Sequence, residues 1–425
     1  MFTSLSVTEK SAGIWQKALS TCLPTVLILT ICAAPVWATY EEPPVLQAKS
    51  IFKPDLLKGK NYAILDQVKN DGLFNHYTVE SSFGTFKAGS TGDLKILLNE
   101  IAAIAAMKQV QTEETAKASL KQSGQKTVTG VKNLFNDPQG TIEGAASGVG
   151  SLFNRAKETV GKRKTTGTED SRLEQLVGIS KSKGIIATQY GVNVYSRNKV
   201  LQAELDRLGR ADYLGGLGVG AATSIVPGVG GLILTTSGTA RLLNEAINTT
   251  PGSELWLQNK NKLVAMGMNT DTVELFLNNP AFSPAQSTVL VTALESLDGV
   301  ENRELFIQVA LQASEPAMAS VVTKIAVMSA GYHKEIAPLK RISPLARLTQ
   351  GIRQDETRVV LLPVDYMIWS KRVSEAVTSV SSEAKGSSLE LWVLGSLSKQ
   401  ATAELQKQGW NIHTGAGPRL LPARK

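Results

Sequence analysis

Apolar and polar positions along the 425-residue chain change period several times, and each change marks a different kind of element. Residues 45–90 carry short β-type runs: Tyr62-Ala63-Ile64-Leu65, then Phe74 through Glu80, then Phe83-Gly84-Thr85-Phe86. Asn70-Asp71-Gly72 supplies turn chemistry between the first two, which predicts a small β unit. Ser90 or Thr91 then caps a helix, because Leu94, Leu97, Leu98, Ile101, Ile104 and Ala105 recur at helical spacing.

From 111 to 184 the composition turns polar, small and basic, which predicts a flexible helical region with Lys162-Arg163-Lys164 in an exposed basic loop. Within it Gly140, Gly144 and Gly148 stand four apart and share one helical face, beside an apolar stripe of Ile142, Val149, Leu152, Phe153 and Ala156. A single amphipathic helix is expected over 185–210 (Val192, Tyr195, Val200, Leu201, Leu205, Leu208). After Asp212 no charged residue occurs until Arg241, and eight glycines and Pro227 interrupt that stretch. Gly216, Gly220 and Ser224 repeat the small-residue spacing that lets helices approach closely.

The uncharged segment 213–240 admits two readings. It is either a hairpin entering a bilayer or a buried hairpin in a helical core, and each half falls short of the roughly 20 residues a span needs. Helices follow over 250–340: residues 271–277 capped by Thr270, then segments opening at Ser283-Pro284, Asn302 and Pro316. Their short connections predict antiparallel neighbours, so 185–345 is taken as one helical bundle. The tail, 355–425, alternates strand (358–364), helix (369–384), strand (389–394), helix (398–408) and strand (410–413). That βαβαβ order predicts a small parallel sheet with right-handed crossovers. The fold expected is mainly α, with a small N-terminal β unit over 39–110 and a C-terminal α/β unit.

The start of the chain bears on compartment. Lys10 and Lys17 precede an apolar run, 23–36, that ends in Val36-Trp37-Ala38, the pattern of a secretory signal over residues 1–38. An uncleaved anchor is the alternative. Both cysteines, Cys22 and Cys32, fall inside this leader. Leu29-Thr30-Ile31-Cys32 is similar to a lipoprotein box but has Ile31 where a small residue is required, so lipidation is not expected. A periplasmic or secreted protein follows, without disulfide or thiol chemistry. The formal charge is +8, of which the leader contributes +1 (Lys10 and Lys17 against Glu9), leaving +7 for the remainder. That excess suits membrane lipid or an envelope protein as partner; no nucleic-acid partner is expected.

Candidate chemistry is thin. Three histidines, His76, His333 and His413, lie apart without metal-ligand spacing, so no metal and no cofactor is expected. Gly216, Gly218 and Gly220 follow no strand, which argues against a dinucleotide loop. In open parallel sheets ligands sit beyond the carboxyl ends of strands, which here hold Asp365 and the pair Ser396 and Ser398. Those residues are candidate ligand contacts, with helix capping as the alternative. The Gly140/Gly144/Gly148 and Gly216/Gly220/Ser224 sets are candidate membrane or partner contacts.

The stretch 70–77 (Asn-Asp-Gly-Leu-Phe-Asn-His-Tyr), Gly84-Thr85-Phe86, the helix segment 99–105 and the run 276–284 (Phe-Leu-Asn-Asn-Pro-Ala-Phe-Ser-Pro) together resemble exported proteobacterial proteins of unknown function. The resemblance implies an envelope protein and transfers no activity. The expectation is therefore a non-enzymatic, membrane-associated or partner-binding scaffold or assembly protein. An enzyme or ligand-binding protein using the C-terminal unit and a membrane-active exported toxin are the alternatives.

Overall fold

A computed structural model describes residues 40–110, 169, 179–215, 238–384 and 386–421. Residues 1–38, expected to be a secretory signal, and Gly140, Gly144, Gly148, Gly216, Gly220 and Ser224 lie outside the described residues. Helices supply about half of the described residues, with a small antiparallel sheet near the start and a mixed sheet near the end.

The first sheet contains β1 (Val45–Gln47), β2 (Lys58–Gly59), β3 (Tyr62–Ile64), β4 (Gln67–Asn70), β5 (Asn75–Ser81) and β6 (Gly84–Ala88). Its order is β1-β4-β5-β3-β2, with β6 also paired to β5, and every pairing is antiparallel. Two single-turn helices, α1 (Ala48–Ile51) and α2 (Pro54–Leu57), join β1 to β2. The 70–72 turn connects β4 to β5, not β3 to β5 as the sequence suggested. The short strand Gln67–Asn70 escaped notice because only Val68 of its first three residues is apolar and buried. Asp71 accepts the N–H groups of Leu73 (2.9 Å) and Phe74 (2.7 Å), and Gly72 takes φ +102°. The inward residues Val68, Tyr77 and Val79 pack under α3 (Thr91–Lys108), whose Leu94, Leu98 and Ile101 are fully buried. Ser90 caps α3 by accepting the Asp93 N–H (3.1 Å).

The expected single helix over 185–210 is two helices, α4 (Ile179–Gln189) and α5 (Lys199–Gly215). Gly191 at φ +63°, its N–H donated to the Thr188 carbonyl (3.1 Å), terminates α4, and Asn198 restarts helix by accepting the N–H groups of Val200 and Leu201. α6 (Gly238–Thr249) packs on α4 where Gly184 lies so close to the Asn248 carbonyl that a Cβ would stand 1.9 Å from its oxygen.

Next come α7 (Gly252–Ala265), α8 (Thr270–Leu277), α9 (Pro284–Glu295), α10 (Leu305–Leu311) and α11 (Pro316–Glu335). Asn269, not Thr270, caps α8, and Ser283 with Gln286 forms the reciprocal cap of α9. Asn302 sits at φ +60° in the turn before α10 instead of opening the helix. One large core runs through this bundle, with Phe276, Phe282, Leu290, Leu294, Phe306 and Val322 nearly sealed from solvent.

The bundle ends before residue 345. β7 (Leu339–Leu345) and β8 (Leu348–Arg353) instead form a hairpin that joins the C-terminal sheet. With β9 (Arg358–Leu362), β11 (Leu389–Val393) and β13 (Trp410–His413) the order is β13-β11-β9-β8-β7. β9, β11 and β13 are parallel, while β8 and β7 run antiparallel, so the sheet is mixed where a parallel one was expected. Pro344, Ala346 and Arg347 masked the hairpin in the sequence; Ala346 occupies the left-handed region at φ +49°. α12 (Lys371–Glu383) and α13 (Lys399–Lys407) cover one face through Val373, Val380, Ala401 and Leu405. α11 and α14 (Gly417–Leu420) cover the other, with Gly331 against the Leu420 carbonyl. A two-stranded parallel ribbon, β10 (Tyr366–Met367) with β12 (Ser396–Leu397), extends beyond the strand ends.

Candidate functional site

Asp365 follows β9 and points back into the molecule. Its Oδ2 accepts the backbone N–H of Asn75 (3.0 Å) and of Thr91 (2.9 Å), so one carboxylate oxygen ties the start of β5 and the first turn of α3 to the C-terminal unit. Burial pushes its carboxyl above the usual range, opposed by those two bonds, the Thr91 side chain and the charge of Lys324. The 70–75 turn lies along the same segment: Asp365 and Tyr366 donate N–H to the Leu73 carbonyl, Ile368 donates to Gly72, and Asn70 donates its amide to the Tyr366 carbonyl (3.1 Å). The chain's own hairpin therefore covers the carboxyl end of β9, where Asp365 is a candidate ligand contact or helix cap on sequence grounds.

Gly395, after β11, is crowded against the same place; a Cβ there would stand 1.9 Å from the Asp365 carbonyl oxygen. Ser396 is exposed on β12, its N–H donated to the Asp365 carbonyl (3.0 Å). Ser398 is only 3% exposed and caps α13 by accepting the Ala401 N–H (3.0 Å). Its hydroxyl also donates to the Glu41 carboxylate, which accepts the Trp369 N–H (2.6 Å) as well. Asp365, Ser396 and Ser398 are thus brought to one corner of the molecule, where Asp365 and Ser398 are bonded to the chain itself and Ser396 is exposed.

A second cluster escaped the sequence. Glu390 of β11 accepts from the Tyr332 hydroxyl (2.8 Å), the Trp392 indole N–H (2.8 Å) and Arg353 (3.0 Å), and Arg353 also pairs with Asp355 (3.0 Å). The Tyr332 ring meets Trp392 edge-on at 5.5 Å, His413 stacks flat on Trp392 at 3.9 Å, and Arg419 stands 4.5 Å from the Trp392 ring. Burial and the neighbouring Glu390 push the Tyr332 hydroxyl far above its usual range, so it remains a donor. Burial, aided by Arg419 and opposed by Glu390, holds the His413 imidazole below its usual range. Tyr332, Trp392 and Arg353 are hydrogen-bonded to Glu390, and His413 and Arg419 pack on the Trp392 ring, so the cluster pins α11, β8, β11, β13 and α14 together. The alternation Leu389-Glu390-Leu391-Trp392 was its only sequence signal, placing an acid and an aromatic on one strand face.

Glu100 is a buried acid, 6% exposed in the middle of α3, accepting from the Ser196 hydroxyl (2.5 Å) and the Asn198 amide (2.9 Å). Its burial raises its carboxyl above the usual range, with both hydrogen bonds opposing. Its place on the face that carries Leu97, Ile101 and Ile104 was the available signal.

Among the described residues no group of three or more His, Cys, Asp or Glu could hold a metal ion, and no helix is long and apolar enough to cross a membrane. His76 pairs with Asp71 (2.9 Å) at the surface, and His333 accepts the Leu339 N–H (3.0 Å) at the end of α11. Comparison with known proteins yields no match among family models, curated proteins or solved structures.

Proposed function

We propose that this is an exported envelope protein that acts by binding, at a membrane surface or on an envelope protein, through its two glycine-rich segments. The observation that supports this is where those segments join the described helices. α3 runs parallel to α5, with Glu100 beside Ser196 and Asn198, and Met107 and Val110 accepting from Arg207. α4 runs antiparallel to α5, its Lys183 paired with Asp206 (2.7 Å) and bonded to Gln202. The C-terminal end of α3, the N-terminal end of α4 and the C-terminal end of α5 therefore share one end of this helical layer. The chain leaves for the segment holding Gly140, Gly144 and Gly148 there, returns there, and leaves again for the segment holding Gly216, Gly220 and Ser224. Two stretches with small-residue spacing start from one place, which suits a single contact surface. Supporting it further, Asp365 and Ser398, which the sequence offers as ligand contacts or helix caps, are hydrogen-bonded within the chain.

Cosedimentation of the exported chain with anionic and with zwitterionic vesicles tests this reading, together with salt and carbonate washes of cell membranes. A protein that stays on membranes through both washes, and is released by Gly220→Asp, binds lipid through the uncharged segment. One released by high salt alone, and crosslinked to an envelope protein in a Gly144- or Gly220-dependent way, binds a partner. A chain found entirely in the soluble fraction, crosslinked to nothing in a manner either substitution alters, refutes the proposal.

A further inference from the structure

The first described residues form a strap that crosses from the C-terminal unit to the N-terminal sheet. Glu41 donates its N–H to the Trp369 carbonyl (2.9 Å) and accepts the Trp369 N–H and the Ser398 hydroxyl on one carboxylate oxygen. Pro44 accepts the Asn70 N–H (3.0 Å), and β1 then pairs antiparallel with β4, Val45 opposite Lys69 and Leu46 opposite Val68. β1 is the end strand of its sheet, so lifting it bares the edge of β4.

Little holds the strap except these polar bonds. Tyr40, Glu42, Pro43, Val45 and Gln47 are exposed, Val45 at 60%, and Glu41, Pro44 and Leu46 are only half-buried. Segments with so little buried apolar surface open at small free-energy cost. The adjacent Pro43 and Pro44 fix φ and keep a released strap extended instead of letting it collapse onto its own body. Fixed from Ala48, whose N–H is held by the Asp66 carbonyl (2.8 Å), eight extended residues reach about 26 Å.

We infer that the strap exchanges between two copies of this chain, giving a symmetric dimer in which each copy's Glu41 and β1 occupy the other's Trp369–Ser398 latch and β4 edge. The occupant is a second copy because the latch and edge are complementary to this segment as it stands, in backbone register and in the two hydrogen-bond donors that meet Glu41. Exchange of identical elements is a low-cost route to a two-fold dimer, and the added strand supplies main-chain bonds. Closed monomer and exchanged dimer contain the same strap contacts. Removing one of them therefore leaves the balance between the two nearly unchanged while speeding their interconversion.

The test uses full-length chains with Cys22 and Cys32 replaced by serine. One carries Val45→Cys, the other Lys69→Cys, which face each other across β1 and β4 in a geometry suited to a disulfide. Mixed and oxidised, they are expected to form a mixed disulfide that rises with protein concentration, several-fold above a control pairing Val45→Cys with Lys87→Cys on β6. Glu41→Ala is expected to shorten the time to plateau several-fold and leave the plateau where it was. The double variant Val45→Cys/Lys69→Cys closes within one chain, and sedimentation should show that this lock abolishes the dimer formed by the unlocked chain. A mixed disulfide no more abundant than the control, or a dimer that survives the lock, overturns the inference.

Discussion

Replacing Asp365 should separate the N-terminal sheet from the C-terminal unit more effectively than any other single polar change at their junction. One oxygen of this carboxylate satisfies two backbone N–H groups, from Asn75 and Thr91. Asn75 is itself buried, and Thr91 opens α3, where the first N–H groups have no partner within the helix. Asp365→Ala leaves both donors unpaired, and an orphaned buried donor costs about 1–3 kcal/mol, so the loss should be about 2–5 kcal/mol. Asp365→Asn keeps an oxygen that can accept both bonds and removes only the charge. Burial already disfavours that charge, as the raised carboxyl shows, so the expected loss is about 1–2 kcal/mol.

The two variants therefore bracket the contribution. Urea denaturation of both against the parent gives the ordering, and amide exchange over 70–92 gives the location. The Ala variant should lose protection at Asn75 and Thr91 first, with α11 and β9 unaffected. If Asp365→Ala falls within about 0.5 kcal/mol of the parent, the surface value for a substitution, or if protection at those amides is unchanged, the carboxylate does not hold the two units together.

Three further substitutions test other parts of the fold. Gly395→Ala forces a Cβ to 1.9 Å from the Asp365 carbonyl oxygen and should cost more than about 3 kcal/mol, whereas Gly417→Ala, with nothing within 4 Å, should be near neutral in the same urea melts. Tyr332→Phe removes one of the three donors to Glu390 and should cost about 1–3 kcal/mol, measured by thermal denaturation alongside Tyr332→Leu to separate the hydroxyl from the ring. Glu100 carries a carboxyl raised by burial, so the folded state holds its proton at pH values where the unfolded chain has released it; stability should fall as pH rises through that raised value. Glu100→Gln should flatten this slope above the ordinary carboxylate range, and an unchanged slope would assign the dependence to another group.

The sequence carried the local signals well and the long-range ones poorly. Helices with a continuous apolar stripe and a cap residue, such as α3 after Ser90 and α9 after Ser283, were legible because both signals come from residues three or four apart. The strands β9, β11 and β13 were legible as apolar runs between helices. The split between α4 and α5 was not, since Val192, Val194 and Tyr195 are buried whether the backbone there is helical or not. β7 and β8 were missed because Lys340, Arg341 and Arg347 interrupt the alternation, and an edge hairpin tolerates charge that a central strand does not.

The candidate site shows the same divide at higher stakes. Asp365 and Ser398 were singled out for their position after strands, and both do lie together at one corner. Nothing near them in sequence announced that Glu41, 357 residues before Ser398, or Asn75, 290 before Asp365, would take up their hydrogen-bonding capacity. A strand-end carboxylate or hydroxyl is a ligand contact only if the fold leaves its lone pairs and protons unspent, and that depends on contacts no local pattern records. The Glu390 cluster makes the converse point: its acid, its tyrosine and its two arginines come from separate elements, and only the sheet order brings them together. Polar residues at a junction of elements thus divide by what completes them. Those completed within the chain, at Asp365, Ser398 and Glu390, fix how the units join, and binding chemistry is then to be sought where the chain departs from that frame, at the shared end of α3, α4 and α5.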